Sequence, residues 1–290
     1  MNENSFSPDS FKQVLGRLNP SFAGIQANAP KDLIYFLLET LHQEMNKIKN
    51  INLNYYNNMI QQEIIQMSEE LSFKSFLEGY RKQFRSKISD LFYGTSENQY
   101  TCQGGCNRTR YIFQVYCILE FPLEQVNRYF YNKGKRGQSP SIFSNNKNPD
   151  VNLEECFEYY EKENIMTGDN QIYCSKCSRL CNAIHLTKLL TAPRCLIINI
   201  NRGKNFNYQC NFDFPEILNL SKYLTYKKVN TDFELYAVIN YLNGGFFAFI
   251  KNESNNKWYL YNDSNITECS RMYQYKEGMT YILFYQSQNT

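Results

Sequence analysis

Histidine is scarce in this sequence, and no long apolar run occurs. Only two histidines, His42 and His185, are found among 290 residues, so few imidazole groups could act as a general base. No apolar stretch approaches the roughly 20 residues that a membrane-spanning helix needs, and the N-terminus, MNENSFSPDSF, lacks the pattern of a secretory signal. We therefore expect no membrane association and an intracellular location, in the cytoplasm with the nucleus left open.

An excess of charge of either sign is also missing. The 31 basic and 28 acidic residues nearly balance, and no basic stripe of the kind that grips phosphates is present. Nucleic acid is therefore not a predicted partner. The sequence also contains no Walker loop, no dinucleotide fingerprint and no zincin helix, which argues against the enzyme classes that those motifs mark.

The order of helical and strand patterns along the sequence predicts an α+β fold, with helices first and an antiparallel sheet after them. Helical spacing covers Ser7–Leu18 and Lys31–Lys47, where Pro30 suits a helix start, and a polar segment (Asn50–Asn58) separates these from further helices. Strand composition appears at Tyr111–Leu123, followed by a predicted loop at Asn132–Asn148 and a short helix within Val151–Glu163. Further strands are predicted at Arg194–Asn201, Tyr208–Phe214, Phe233–Leu242, Phe246–Lys251, Trp258–Tyr261 and Tyr281–Tyr285.

Two pairs of cysteines have the spacing of metal-binding knuckles. Three residues separate Cys102 from Cys106, and two separate Cys174 from Cys177. In a reducing setting cysteines are more often thiols or metal ligands than disulfides, and four thiolates make a closed tetrahedral zinc site without an open catalytic position. We predict a structural zinc ion here, contributing on the order of 10 kcal/mol to folding of this part. Four unrelated buried thiols remain the alternative.

The other six cysteines have no predicted catalytic partner. A nucleophilic cysteine needs a base, and the spacing of Cys181 and His185 would bring them together only on a helix. The segment CNAIHLTKLL has the composition of a strand instead, so a Cys181–His185 dyad is disfavoured. His42, on the second predicted helix, is assigned a packing or surface role.

Taken in order along the chain, several segments resemble the papain-like ubiquitin-specific protease family, in particular a divergent branch found in protists. The segments that carry the resemblance are NPSFAGIQ (19–26), KDLIYFLLETLH (31–42), SDLFYG (89–94), the two cysteine knuckles, TAPRCLIININ (191–201), FELYAVIN (233–240), KWYLYND (257–263) and YILFY (281–285). The resemblance implies a single papain-like domain over residues 1–290. It has a partial helical thumb (1–95), zinc-ribbon fingers (96–190) and an antiparallel β palm (191–290).

Members of this family cleave the bond after the C-terminal glycine of ubiquitin, with a cysteine nucleophile, a histidine base and an Asn or Asp that orients the histidine. The family's N-terminal nucleophile box is not found, because the residues before Asn19 read MNENSFSPDSFKQVLGRL and the first cysteine is Cys102. In the base motif, written Gly-His-aromatic-x-Ala-Tyr in the family, Gly245 stands at the histidine position. Asn262 aligns with the orienting residue and Asp263 with the acidic residue after it, and both also suit a turn.

These departures predict a catalytically inactive member of the family, which acts as a binding or structural scaffold module. Ubiquitin is one candidate partner, and another protein within a larger assembly is the other. The alternative hypothesis is an active cysteine-type ubiquitin hydrolase whose nucleophile box lies outside this sequence. A histidine restored at position 245 alone is not expected to give activity, because the nucleophile is still missing.

Overall fold

The structure, a computed structural model, describes residues 8–24, 29–46, 68–132, 151–204, 207–226, 231–270, 274–276 and 279–288. The predicted polar segment Asn50–Asn58 and nearly all of the predicted loop Asn132–Asn148 lie outside these residues. The described helices are α1 (Asp9–Leu18), α2 (Pro30–Met45), α3 (Glu69–Gln83), α4 (Lys87–Phe92), α5 (Leu123–Asn132) and α6 (Leu153–Tyr160).

Local sequence explains where most of these helices begin. Helix α2 starts at Pro30, whose missing amide proton costs nothing in the first turn. The Ser68 side chain accepts a hydrogen bond from the Leu71 amide at the start of α3. Reciprocal capping boxes start both α4, at Ser86, and α6, at Asn152.

The strands fall into a large and a small sheet, with two additional two-stranded pairs. The strands are β1 (Gly94–Cys102), β2 (Thr109–Tyr116), β3 (Leu119–Pro122), β4 (Val151–Asn152), β5 (Asn164–Met166), β6 (Ile172–Cys174), β7 (Arg179–Cys181), β8 (Ala183–Thr191), β9 (Cys195–Asn201), β10 (Phe212–Asp213), β11 (Ile217–Asn219), β12 (Asp232–Leu242), β13 (Gly245–Asn252), β14 (Lys257–Asn262), β15 (Asn265–Glu268) and β16 (Met279–Ser287).

The large sheet has the order β15-β14-β13-β12-β16-β9-β3, with β11 also paired to β12. Its pairs are antiparallel except for β3 and β9, which run parallel. One face packs against α5 and α6 in the main hydrophobic core, which includes Phe121, Val126, Phe157 and Leu283. On the other face Ile197 and Ile282 pack against Leu38 of α2 and Ile88 of α4. This sheet is therefore covered by helices on both faces near β9 and β16.

The small sheet has the order β2-β1-β8-β5, and all its pairs are antiparallel. Helix α3 packs on it through Phe73 and Phe76, whose rings lie 5.6 and 5.7 Å from that of Phe113. At the far end of β1 and β8 the two-stranded β6–β7 hairpin carries two of the predicted zinc ligands and the turn between them. The small sheet thus holds the cysteine knuckles away from the main core.

Two predicted strands differ from the structure. The predicted strand Tyr111–Leu123 is divided into β2 and β3, and Leu123 begins α5. The predicted strand Tyr208–Phe214 is reduced to Phe212–Asp213, because the backbone before it is held by the buried Arg202 side chain and not by a strand neighbour. The guanidinium donates hydrogen bonds to the carbonyl oxygens of Tyr208, at 3.2 Å, and Cys210, at 3.1 Å.

Within the described parts of the chain, no helix combines the length and the apolar character needed to cross a membrane.

Candidate functional site

The structure brings the four knuckle cysteines together. Their sulfur atoms all lie within 4.8 Å of one another, although the two pairs are nearly seventy residues apart in the sequence. The sulfurs of Cys102 and Cys177 are 3.9 Å apart, and those of Cys106 and Cys174 are 3.5 Å apart. Antiparallel pairing of β1 with β8, and the β6–β7 hairpin that precedes β8, carry the two knuckles to the same place.

This geometry fits a tetrahedral metal ion. Four sulfurs that each lie about 2.3 Å from a central zinc ion are roughly 3.8 Å apart from one another, and the two measured separations bracket that value. The neighbouring thiols shift the pKa values in opposite directions: a backbone hydrogen bond at Cys177 lowers the pKa of Cys174 to about 6, and the thiols around Cys177 raise its pKa to about 12, so the case for a metal ion rests on the sulfur geometry. The cluster could therefore hold a zinc ion with four thiolate ligands.

Both glycines of the first knuckle are required, for different reasons. Gly105 has a φ of 103°, a backbone conformation that residues with a side chain rarely adopt. Gly104 has an ordinary φ, but a Cβ atom there would overlap the Cys181 sulfur and lie 3.3 Å from the Cys102 sulfur. The Gly104 amide donates to the Cys102 sulfur at 3.3 Å. Residue 104 therefore needs to be glycine so that the backbone can approach the sulfurs.

A fifth cysteine lies against the cluster, and the spacing analysis missed it. Cys181, at the end of β7, is 2% exposed and packs with the knuckle cysteines. The disfavoured Cys181–His185 dyad is not formed: the His185 imidazole bonds the Asn98 side chain at 2.9 Å and stacks on Tyr100. The sequence contains one signal for the position of Cys181, since only three residues separate it from Cys177.

Gly245, which the resemblance places at the family's histidine position, lies at the start of β13. Asn243 and Gly244, both with positive φ, form the two-residue turn between β12 and β13, as expected for an Asn-Gly hairpin. Gly245 is the first residue of β13 and pairs with Leu242. A Cβ atom at position 245 would have only the Leu242 carbonyl oxygen nearby, at 3.9 Å, so the site has room for a larger side chain.

The positions aligned with the orienting residue lie on the neighbouring strand. Asn262 ends β14 and is exposed, and Asp263, with a φ of 50°, begins the turn to β15. The pairing of Ala248 with Tyr261 places Asn262 beside the part of β13 that starts at Gly245. The structure thus brings the three aligned positions to the same end of two neighbouring strands, and a turn accounts for Asp263.

A cleft of about 1050 Å³ between α2, α3 and the β2–β3 segment contains a histidine and a cysteine that the sequence analysis did not connect. The His42 Nδ1 atom lies 2.7 Å from the Ser86 hydroxyl, and its ring packs on Tyr93. Burial lowers the pKa of His42 and raises the pKa of Cys117 to about 11. Burial therefore favours the neutral form of both groups, and His42 lies buried, in agreement with packing, the first of the two roles considered for it.

Comparison with known proteins gives matches over almost the whole chain. The family described as ubiquitin carboxyl-terminal hydrolase matches residues 1–285. Ubiquitin carboxyl-terminal hydrolase 2 of Homo sapiens is 24% identical over 290 residues, covering 97% of this chain and 44% of that protein. Ubiquitin carboxyl-terminal hydrolase 21 of Homo sapiens is 25% identical over 300 residues, covering 97% of this chain and 49% of that protein. The chain therefore spans about half the length of these two relatives.

A solved structure has the same fold. A chain from the SAGA Ubp8/Sgf11/Sus1/Sgf73 DUB module bound to ubiquitin aldehyde superposes with a TM-score of 0.63 at 18% identity, covering 96% of this chain and 53% of that one. The predicted α+β papain-like fold of ubiquitin-specific proteases is thereby confirmed. The chain belongs to the ubiquitin carboxyl-terminal hydrolase family.

Proposed function

We propose that this chain is a catalytically inactive ubiquitin-specific protease domain that serves as a binding or structural scaffold module. The observation that carries the proposal is the glycine at position 245. It starts β13 in an intact hairpin, at the position where the resemblance places the histidine base, and the space around it is open. Strand β13 pairs regularly with β12, but it carries no imidazole at position 245.

The chemistry of the remaining thiols and imidazoles supports this proposal. Among the described residues, both histidines are engaged elsewhere, His42 with Ser86 and His185 with Asn98. Burial raises the pKa of Cys117 and of Cys195, and a protonated thiol is a poor nucleophile. The 290 residues also contain no segment that resembles the family's nucleophile box. Loss of even one member of such a triad costs roughly 10⁴-fold to 10⁶-fold in rate.

The proposed division into a partial thumb (1–95), fingers (96–190) and palm (191–290) gives the scaffold its shape. The four clustered cysteines hold a structural zinc ion that fixes the tip of the fingers, and β3, α5 and α6 connect the finger segment to the core of the large sheet. Ubiquitin is one candidate partner, since the structure with the same fold was determined with ubiquitin aldehyde. Another protein of a larger assembly is the second.

Activity is tested with a ubiquitin probe that carries a C-terminal electrophile. Such a probe forms a covalent adduct with an activated cysteine, and we expect none after prolonged incubation of the zinc-loaded protein. An adduct would overturn the proposal and favour the alternative, an active cysteine-type hydrolase. Mass spectrometry would then locate the modified cysteine, and Cys117→Ser and Cys195→Ser variants would serve as matched controls for non-specific alkylation of half-buried thiols.

Binding is tested separately by titration with labelled ubiquitin. Saturation at or below about 1 mM, the weak end of the affinity scale, would assign ubiquitin as a partner of the module. Absence of binding over that range would leave the scaffold role with another protein partner. Identification of the proteins that co-purify with the intact natural protein would then name that partner.

A further inference from the structure

The finger cluster contains one more thiol than a tetrahedral site uses. Four sulfurs satisfy the zinc ion, yet Cys181 is buried directly against them. The sulfurs of Cys181 and Cys102 both lie against the Gly104 backbone, and the Cys181 thiol donates to the Arg179 carbonyl oxygen at 3.6 Å. A bystander thiol of this kind would normally pack among carbon atoms.

The backbone ties Cys181 more closely to Cys102 than to the other ligands. Cys102 pairs with Ala183, two residues after Cys181, at the junction of β1 and β8. One residue further on, the Gln103 amide donates to the Asn182 carbonyl oxygen at 2.8 Å. The chain segments that carry Cys102 and Cys181 are therefore neighbours by hydrogen bonding.

The sulfurs of Cys102 and Cys181 both pack against the backbone of Gly104, where a side chain would not fit. A Cβ atom at residue 104 would overlap the Cys181 sulfur and press on that of Cys102, so both thiols lie over the same bare stretch of backbone. The sulfurs of Cys106 and Cys174 lie 3.5 Å apart, and neither is among the three atoms nearest to that Cβ position.

We propose that Cys181 is a reserve ligand of the finger zinc site, able to replace Cys102 by a change of side-chain rotamer when Cys102 is not available. The inference rests on the proposed zinc site at the four knuckle cysteines. It assigns the fifth thiol to a thiophilic divalent cation, with zinc as the ion and Co²⁺ as a spectroscopic substitute. The site keeps four thiolates after the loss of Cys102, and not after the loss of Cys106.

The test compares serine variants of the full chain by zinc content and by the intensity of the thiolate-to-Co²⁺ charge-transfer band. Cys102→Ser is expected to retain about one equivalent of metal and the band of a four-thiolate site. The double variant Cys102→Ser/Cys181→Ser should bind at least about tenfold more weakly and show a reduced band. Cys181→Ser alone should match the unchanged protein, since the four primary ligands are intact.

The matched control is the substitution of Cys106, whose sulfur is not among the atoms nearest to the Gly104 Cβ position. Cys106→Ser should lose metal affinity, and adding Cys181→Ser to it should change nothing further. If Cys102→Ser loses metal as completely as Cys106→Ser does, the reserve role is wrong while the zinc site stands. If the unchanged protein binds no zinc, or Cys106→Ser binds it undiminished, the zinc site itself is wrong. Circular dichroism of the singly substituted Cys181→Ser protein establishes that the fifth thiol is not needed for folding.

Discussion

At the scale of single residues, the two glycines of the β12–β13 turn differ in what they tolerate. Gly244 has a φ of 85°, whereas no such constraint applies to Gly245, whose Cβ direction is open. We expect Gly245→His to leave the thermal midpoint almost unchanged. Gly244→His should lower the stability by about 1 to 2 kcal/mol, because a residue with a Cβ is strained in the left-handed region.

The same pair of variants tests the proposed function. Gly245→His restores the imidazole in a hairpin that accepts it, but we expect no adduct with the electrophilic ubiquitin probe, because the sequence supplies no partner nucleophile. Gly244→His provides the control for any non-specific effect of an added histidine. Probe reactivity gained by Gly245→His alone would contradict the inactive assignment and reveal a cysteine that the proposal overlooks.

Arg202 is a buried cation that organises backbone and has no carboxylate partner in the contacts described. It is 2% exposed, and its guanidinium donates to the carbonyl oxygens of Thr280, Tyr208 and Cys210. Arg202→Met would leave these acceptors without donors, each at a cost of about 1 to 3 kcal/mol. We expect a fall of at least roughly 6 °C in the thermal midpoint by calorimetry.

The control for this prediction is an arginine on the surface. Arg128 of α5 pairs with Glu124 one turn away, and both side chains are largely exposed. Exposed pairs contribute at most about 1 kcal/mol, so Arg128→Met should shift the midpoint by no more than a few degrees. Equal effects of the two substitutions would show that the Arg202 contacts do not hold the segment after β9.

At the scale of elements, the contact between α3 and the small sheet contains a buried carboxylate. Glu97 of β1 is 0% exposed, its Oε1 atom accepts from Gln99, and its Oε2 atom has no partner among the described residues. Burial raises the pKa of Glu97 to about 6, against the opposing effect of Gln99, with smaller contributions from Glu69 and Lys188. Folding therefore favours the protonated form relative to the unfolded chain, although the carboxyl is still mostly ionised at pH 7.

This shift predicts a pH dependence of stability. The folded protein holds the Glu97 proton more tightly than the unfolded chain does. The stabilisation that this proton gives to the fold is therefore fully present below the ordinary glutamate pKa near 4.5, and it is lost as the pH rises through about 6. Glu97→Gln, which stays neutral, should be more stable than the parent at pH 7 by roughly 1 kcal/mol and equal to it at pH 4.5. Thermal midpoints measured between these two pH values check the prediction.

A control for the pH series is Glu124→Gln on the surface of α5. Glu124 is an exposed member of an ion pair, so its substitution should not change the shape of the pH profile between pH 4.5 and 7. If the stability of the parent protein, compared with that of Glu124→Gln, does not change between pH 4.5 and 7, the pH dependence assigned to Glu97 is wrong.

At the scale of the whole molecule, the cysteine cluster and the main core are separate sources of stability. The cluster consists of cysteines alone, whereas the main core joins α5 and α6 to the large sheet. Zinc removal by a chelator should therefore loosen the tip of the fingers and leave the palm folded, because cooperative units open independently where few contacts connect them.

Hydrogen exchange measures this directly. We expect amides of β6, β7 and the adjoining ends of β1 and β8 to exchange faster after zinc removal, with β12 and β16 unchanged. The Cys106→Ser variant should already show the fast pattern and respond little to chelator. Faster exchange throughout the large sheet would mean that the metal supports the whole fold and not the fingers alone.

The sequence by itself determined the order of helices and strands and the two knuckles, because local patterns carry each of these. The helical pattern predicted α1 and α2, and strand composition predicted β12 and β13, at Phe233–Leu242 and Phe246–Lys251. The segments of β3, α5 and β10 were predicted poorly. Residues of β3 and α5 pack in the main core with distant segments, and the backbone before β10 is held by Arg202, which also bonds Thr280, 78 residues further along the chain.

Tertiary structure alone decided which thiols meet. Spacing identifies two knuckles, but only the pairing of β1 with β8 brings them to one point and carries Cys181 to the same place. The tertiary structure also decided that His42 bonds Ser86 and that both His42 and Cys117 line the same cleft. The physical reason is common to both: a sequence pattern fixes the direction of a side chain along its own element, whereas the neighbour of that side chain is set by strand register and by the packing of distant segments.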